Sequence, residues 1–141
     1  MSRLLALDYG EARCGCALSD PSGTIATPLT IVERPSTRRG LKALARLVRE
    51  HAVEGVVVGL PLTLAGDEGA QAAESRAFAE RLARLVPVPV RLHDERLTTR
   101  IAERVGGSAA ADSRAAAHLL ESYLAADATA DPVPGSTGVG E

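Results

Sequence analysis

The order of its predicted elements places this chain in the α/β class, with a mixed five-stranded sheet flanked by helices. Three observations support this class. The apolar run Leu4–Leu7 ends in Asp8, a pattern typical of a central strand. Two further strand-like segments follow after short turns, as in an antiparallel meander. From Ser36 onward the hydrophobic period becomes helical, and strands then alternate with helices.

The N-terminal third of the sequence predicts the meander. Its three strands are Arg3–Asp8, Arg13–Ser19 and Thr24–Val32. Pro28 lacks an amide hydrogen, which indicates that the third strand lies at an edge of the sheet. Cys14 and Cys16 share one face of the second strand, a spacing that favours two buried thiols over a disulfide.

The remainder of the chain alternates between helical and strand patterns. The predicted elements are a helix from Ser36 or Thr37 to about His51, a strand Val56–Gly59, a helix with Phe78, Leu82 and Leu85 on one face, a strand Val88–Leu92, a short helix over Leu97–Val105, and a last helix from about Asp112 to Ala126. The resulting order β-β-β-α-β-α-β-α-α outlines a ribonuclease H-like fold.

Length and composition predict one domain and a tail. The chain has 141 residues, of which 1–127 form the predicted domain and 128–141 a disordered acidic tail rich in proline and glycine. The formal net charge of −2, taken alone, argues against a nucleic-acid partner. Acids and bases are unevenly distributed along the chain, however, so the net charge does not describe each part of its surface. Neither a signal peptide nor a membrane span is evident, so we expect a cytoplasmic protein without a membrane partner.

Three acidic residues occupy positions that a metal site would need. Asp8 ends the first strand, Glu95 follows the fifth, and Asp112 precedes the apolar stripe of the last helix by one turn. Carboxylates held close together repel one another, and a divalent cation relieves this repulsion. Oxygen ligands of this kind suit Mg²⁺ or Mn²⁺, and two such ions can activate water and stabilise the leaving oxygen at a phosphodiester.

Each acid also has a structural explanation, which the sequence leaves open. Asp8 could be a hydrogen-bond acceptor, since a carboxylate that closes a buried strand needs some partner. Glu95 could pair with Arg96 or Arg100 on the surface. Asp112, followed by Ser113, is a good helix N-cap. His93, beside the candidate site, could orient a carboxylate or water, or make a structural hydrogen bond.

Four motifs in this order resemble the YqgF/RuvX family of Holliday junction resolvase-like proteins, also described as nucleases that mature pre-16S rRNA. The motifs are Leu5-Ala6-Leu7-Asp8-Tyr9-Gly10, Val58-Gly59-Leu60-Pro61-Leu62, His93-Asp94-Glu95-Arg96-Leu97-Thr98, and Asp112-Ser113 with the later Glu121-Ser122-Tyr123. The resemblance covers about residues 3–125. It implies phosphodiester hydrolysis with Asp8, Glu95 and Asp112 as the acidic triad. It also implies Arg13, Gly59, Arg76 and Arg96 as substrate-facing residues.

The same resemblance implies a nucleic-acid partner, either an rRNA precursor or branched DNA, and pre-ribosomal particles as the setting. One segment departs from the family, whose members commonly carry a longer basic stretch before the last aspartate. Here Gly106–Ala111 is short and uncharged, which would weaken phosphate binding beside the site. We expect a monomer or a weak homodimer.

Basic residues are concentrated on two predicted helices. They are Arg38, Lys42, Arg46 and Arg49 with Arg39 beside them, and Arg96, Arg100 and Arg104. Either stripe could be a solvated face or a phosphate-binding surface, and Arg100 is a candidate substrate contact because its stripe starts beside Glu95. Neither stripe contains aromatic residues, so backbone phosphates rather than bases are the expected contacts.

Three classes of function follow from these patterns. A two-metal nuclease is the prediction. A nucleotide-binding ATPase also begins with a strand, an Asp-x-Gly turn and a second strand, but it needs two domains. A nucleic-acid or ribosome-binding module that retains the fold without the chemistry is the third class, and the presence of all three acids argues against it.

Overall fold

Five strands form one sheet with helices on both of its faces. The computed structural model describes residues 3–20, 22, 25–60, 69–94 and 109–125. Within these ranges the elements are β1 (Leu4–Asp8), β2 (Arg13–Ser19), β3 (Ala26–Glu33), α1 (Arg38–Glu50), β4 (Gly55–Leu60), α2 (Ala70–Ala83), β5 (Val90–Asp94) and α3 (Ala109–Ala125). No helix among these residues is long and apolar enough to cross a bilayer.

The sheet topology confirms the predicted mixed sheet and the ribonuclease H-like fold. The strand order is β3-β2-β1-β4-β5, with β1 in the centre. β1 pairs antiparallel with β2 and β2 with β3, whereas β4 is parallel to β1 and β5 is parallel to β4. Strands β1, β3, β4 and β5 therefore all end at the same side of the sheet, which we call the carboxyl edge.

Strand alternation divides the core between the two faces of the sheet. Leu5 and Leu7 of β1 pack on one face, in the cluster that contains the buried residues of α1 and α2. Ala6 points to the other face, where Leu119 and Leu120 of α3 are fully buried. Apart from Leu4, the core residues of β1 and β2 that meet α3 are thus small, and larger residues of the same strands meet α1 and α2.

The start of α1 is defined by a side-chain cap and a close backbone contact. Thr37 is the N-cap, and its hydroxyl oxygen accepts a hydrogen bond of 3.1 Å from the backbone N–H of Gly40. A Cβ at Gly40 would lie 2.2 Å from the carbonyl oxygen of Arg34 and 2.7 Å from Cα of Pro35. Only glycine therefore allows the first turn of α1 to pack against the segment that leaves β3.

Several predicted features are confirmed. Pro28 lies in β3, an edge strand, and the β2–β3 register shifts at Cys16 and Ala17. Cys14 and Cys16 are buried free thiols. The predicted short helix Leu97–Val105 and the tail 128–141 lie outside the described residues.

Other boundaries require correction. The third strand begins at Ala26 rather than Thr24, and the fifth begins at Val90 rather than Val88. Leu85 was expected on the buried face of the second helix. It is 49% exposed because α2 ends at Ala83, before that face reaches Leu85.

Candidate active site

Asp8 lies at the carboxyl edge, as the last residue of the central strand. Leu5, Ala6 and Leu7 before it are fully buried, and Asp8 itself is half-buried. Strand alternation places Asp8 on the face of Ala6, which is the face covered by α3. A carboxylate in this position is partly removed from water and still reachable from the edge.

Glycines occupy the positions on both sides of Asp8 in the sheet. In β2 its partner is Gly15. On the other side Leu7 pairs with Val58, so the register continued by one residue brings Gly59 beside Asp8. Both glycines are buried, and because glycine has no side chain, no Cβ stands beside the Asp8 carboxylate at these two positions. Gly59, a predicted substrate-facing residue, is therefore a direct neighbour of Asp8 in the sheet.

His93, in β5, is the next residue in the line that runs across the sheet through Gly15, Asp8 and Gly59. It pairs with Gly59, which places its Cα about 10 Å from that of Asp8, two strand spacings away. Its Nε2 lies 2.9 Å from the hydroxyl oxygen of Ser122 in α3. Its ring meets that of Tyr123 edge to face at 5.5 Å. This structural hydrogen bond, one of the two roles expected for His93, ties the end of β5 to α3.

The other two predicted acids belong to the elements that this hydrogen bond joins, since Glu95 follows β5 in the sequence and Asp112 is in α3. Glu95 lies two residues beyond His93 and outside the described residues, as do Arg96 and Arg100. Asp112 is the fourth residue of α3 rather than its N-cap, because the helix already begins at Ala109. It precedes the fully buried Ala116 by one turn, and its side chain is outside the described part.

Of the predicted triad, only the Asp8 side chain is therefore described. Among the side chains that the structure describes, no group of three or more His, Cys, Asp or Glu residues is close enough to hold a metal. The donor that is present, an oxygen of a half-buried carboxylate, is of the type that Mg²⁺ and Mn²⁺ prefer.

The two remaining predicted substrate residues lie in different layers. Arg13 is exposed at the first position of β2, on the same face as Gly15 and at the carboxyl edge. Arg76 is half-buried in the second turn of α2, which packs on the opposite face of the sheet. The structure thus brings Arg13 and Gly59 to the side of Asp8, and it places Arg76 across the sheet.

Two residues of the site had no role assigned from the sequence. Ser122 forms a hydrogen bond with His93, 29 residues away in the sequence, and no local sequence pattern indicates this pairing. Gly15 flanks Asp8, and a glycine inside a strand is a signal for an open position or a close approach. That signal could have identified Gly15 beforehand.

The fold and the placement of Asp8 define the class: a ribonuclease H-like α/β protein with a carboxylate at the end of its central strand. A solved structure of Thermus thermophilus RuvC in complex with a Holliday junction substrate superposes with a TM-score of 0.59 at 18% identity. The match covers 94% of this chain and 99% of that one, and it shows a shared fold.

Relatives at higher identity define the family. A protein of Roseiflexus sp. (strain RS-1) named "Putative pre-16S rRNA nuclease" is 46% identical over 103 residues, 73% of each chain. One of the same name from Anaeromyxobacter sp. (strain Fw109-5) is 45% identical over 131 residues, 86% of this chain and 96% of its own. The family model RuvX, Holliday junction resolvase, matches residues 2–126, and this chain belongs to that family.

Proposed function

We propose that this chain is a divalent-metal-dependent nuclease that hydrolyses phosphodiester bonds in structured nucleic acid, with Asp8 at the centre of its site. The observation that carries the proposal is the Asp8 carboxylate, which follows the fully buried residues Leu5–Leu7 of the central strand and lies between two glycine positions. A half-buried carboxylate at a strand end, with no side chain beside it in the sheet, is suited to hold a cation. Membership of the resolvase family supports the chemistry.

Asp8, Glu95 and Asp112 would together hold Mg²⁺ or Mn²⁺. The oxygen donors of the three carboxylates suit either ion. When bound, the ion supplies activation of the attacking water and stabilisation of charge on the leaving oxygen. In support, the bond between His93 and Ser122 couples the strand that leads to Glu95 with the helix that contains Asp112.

The chain's own residues then position the substrate. Gly15 and Gly59 place no side chain beside Asp8, so a backbone phosphate would approach its carboxylate from the carboxyl edge without meeting a Cβ at these positions. Arg13, exposed at the same edge, neutralises phosphate charge, and Arg96 and Arg100 extend this role after β5. Arg76, in α2 on the opposite face of the sheet, would add positive charge near the bound phosphates from that side.

The preferred substrate is the precursor of 16S rRNA, cleaved to mature its 5′ end within pre-ribosomal particles. The names of the curated relatives support this choice. A Holliday junction is the second candidate, supported by the description of the family. We place the reaction in the cytoplasm, where the two buried free cysteines would stay reduced.

The central experiment replaces Asp8 by Asn, which keeps the size of the side chain and removes its charge. We expect cleavage of a pre-16S rRNA 5′-leader fragment, assayed with Mg²⁺ and with Mn²⁺, to fall at least about 100-fold, because several kcal/mol of transition-state stabilisation depend on the ion. The melting temperature should stay close to that of the wild type.

Glu54→Gln provides a matched control, since Glu54 is an exposed carboxylate just before β4, at the opposite edge of the sheet. This variant should cleave like the wild type. Wild-type rates for Asp8→Asn on both the RNA and a branched DNA would overturn the assignment. The binding-module hypothesis predicts a different result, namely that the wild type binds these substrates and cleaves neither.

A further inference from the structure

The exposed face of α1 is mostly basic. The helix contains five basic residues and one acid, in a chain whose formal net charge is −2. The five are exposed, and we call them the α1 basic stripe: Arg38, Arg39, Lys42, Arg46 and Arg49. None of them forms an ion pair with an acid in the part of the chain that the structure describes. Their charge is therefore available to an external partner.

The neighbouring helix α2 shows what an ordinary solvated face looks like in this protein. Its sequence mixes Glu74 and Glu80 with Arg81, and Arg84 follows at the C-cap. Mixed signs are usual on a helix that faces only water and salt. The stripe on α1 differs because its five like charges repel one another and the helix contains a single acid, Glu50, at its C-terminal end.

The α1 basic stripe begins at the carboxyl edge. β3 ends there, with Glu33 opposite Arg13, and the N–H of Arg34 bonds to the carbonyl of Ala12 at 2.9 Å. Tyr9, next to Asp8, donates a long hydrogen bond of 3.5 Å to Ser36, just before the helix. These contacts hold the first turn of α1 at the carboxyl edge, on the sheet face opposite that of Asp8, so a bound nucleic-acid arm would pass around this edge.

From that edge the stripe leads away from Asp8. β4 begins after α1 at Gly55, opposite Leu4 at the other edge of the sheet, so α1 runs from one edge towards the other. Arg38 and Arg49 are eleven residues apart, about 16 Å along the helix. One strand of a duplex advances about 3.4 Å per phosphate, so the stripe spans about five phosphates.

We propose that the α1 basic stripe binds the backbone phosphates of the nucleic-acid arm that flanks the cleaved bond. The proposal rests on the proposed function and adds a second contact region outside the Asp8 site. Phosphate contacts position a substrate without reading its sequence, which agrees with the lack of aromatic residues on this helix. The stripe thereby supplies the basic charge that the short segment before Asp112 lacks.

The test compares three double variants that each remove two positive charges. Arg38→Gln/Lys42→Gln changes the part of the stripe near the carboxyl edge, and Arg46→Gln/Arg49→Gln changes the far part. Arg81→Gln/Arg84→Gln removes the same charge from α2 as the matched control. Glutamine keeps a high helix propensity, and all six side chains are exposed, so each variant should fold.

Binding is measured in EDTA, without cleavage, on hairpin-closed RNA and DNA arms of about 4 and about 12 base pairs, lengths chosen to end before and beyond the stripe. Each stripe variant should lower the salt slope of log K on the long arm by about 2 and weaken its binding about 10-fold. On the short arm only the variant near the edge should lose affinity. Comparison of RNA with DNA shows which backbone the stripe prefers.

Cleavage at saturating substrate separates this inference from the proposed function. The stripe variants should retain the wild-type kcat, whereas Asp8→Asn loses it. If both stripe variants bind the long arms like the α2 control, the inference is overturned while the nuclease assignment stands. The same result is expected if the stripe instead binds an acidic protein.

Discussion

At the scale of single residues, His93 makes the contact that joins the two sides of the candidate site. Its hydrogen bond to Ser122 and its edge-to-face contact with Tyr123 are both partly shielded from water. We expect His93→Ala to lower the free energy of unfolding by about 1–3 kcal/mol, because it loses both contacts and leaves the Ser122 hydroxyl without this partner. Urea denaturation would measure the change.

His118→Ala is the matched control for that prediction. His118 lies in α3 as well, but its contact with Glu121, at 3.5 Å, is between side chains that are 40% and 59% exposed. Surface pairs of this kind contribute little, so the control should change stability by about 0.5 kcal/mol or less. An equal decrease in the free energy of unfolding in the two variants would show that the His93 contacts stabilise the fold no more than the exposed pair does.

Sequence patterns predict single residues well where a local rule decides their position. Asp8 was placed at a strand end because an apolar run stops there, and the structure has it there. Leu85 was misplaced because its spacing fits the buried stripe of a helix that ends two residues earlier. The partner of His93 could not be predicted, since strand and helix meet only through the tertiary fold.

At the scale of elements, the N-cap of α1 is a prediction that mutation can test. The Thr37 hydroxyl accepts from the N–H of Gly40 and also donates to the carbonyl of Arg34 at 2.8 Å. Thr37→Ala removes both bonds and should lower the free energy of unfolding by about 1 kcal/mol. Thr37→Ser retains the hydroxyl and should stay within about 0.5 kcal/mol of the wild type. A loss as large in the serine variant would contradict the capping role.

The accuracy of the element boundaries depends on what sets each of them. The bounds of β2 were predicted to the residue, and α1 starts after its predicted cap. β5 begins two residues late because its extent follows pairing with β4, from Val56 opposite Val90 onward. α3 begins before Asp112 because alanine has the highest helix propensity, so the Ala109–Ala111 run extends the helix past the capping signal.

At the scale of the whole molecule, the two cores share one sheet and should unfold together. The chain contains two tyrosines, and one lies on each side of the sheet. Tyr9 stacks on Phe78 with ring centroids 4.5 Å apart, in the core that α1 and α2 form on one face of the sheet. Tyr123, in α3, is buried in the core on the other face. Fluorotyrosine labelling with ¹⁹F NMR in urea should give the same midpoint for both signals. Two separate midpoints would show that α3 unfolds as an independent unit.

The overall architecture was predictable because the change from strand to helical period fixes the order of elements. The sequence does not state which strands are neighbours, yet the rules for connections leave few arrangements for a meander followed by parallel strands. The observed order β3-β2-β1-β4-β5 is one of these. The placing of two glycines beside Asp8 depends on the strand register, which only the paired strands determine.

The irregular outer strand has a consequence for how copies of this protein meet. β3 carries Pro28, and its ladder with β2 skips a residue between Pro28 and Thr30. A proline and a break in register both discourage another chain from adding a strand there. This flank of the sheet is therefore a poor template for amyloid-like addition of strands from other copies. We therefore expect two molecules that meet around a symmetric target to pair through a surface other than this strand.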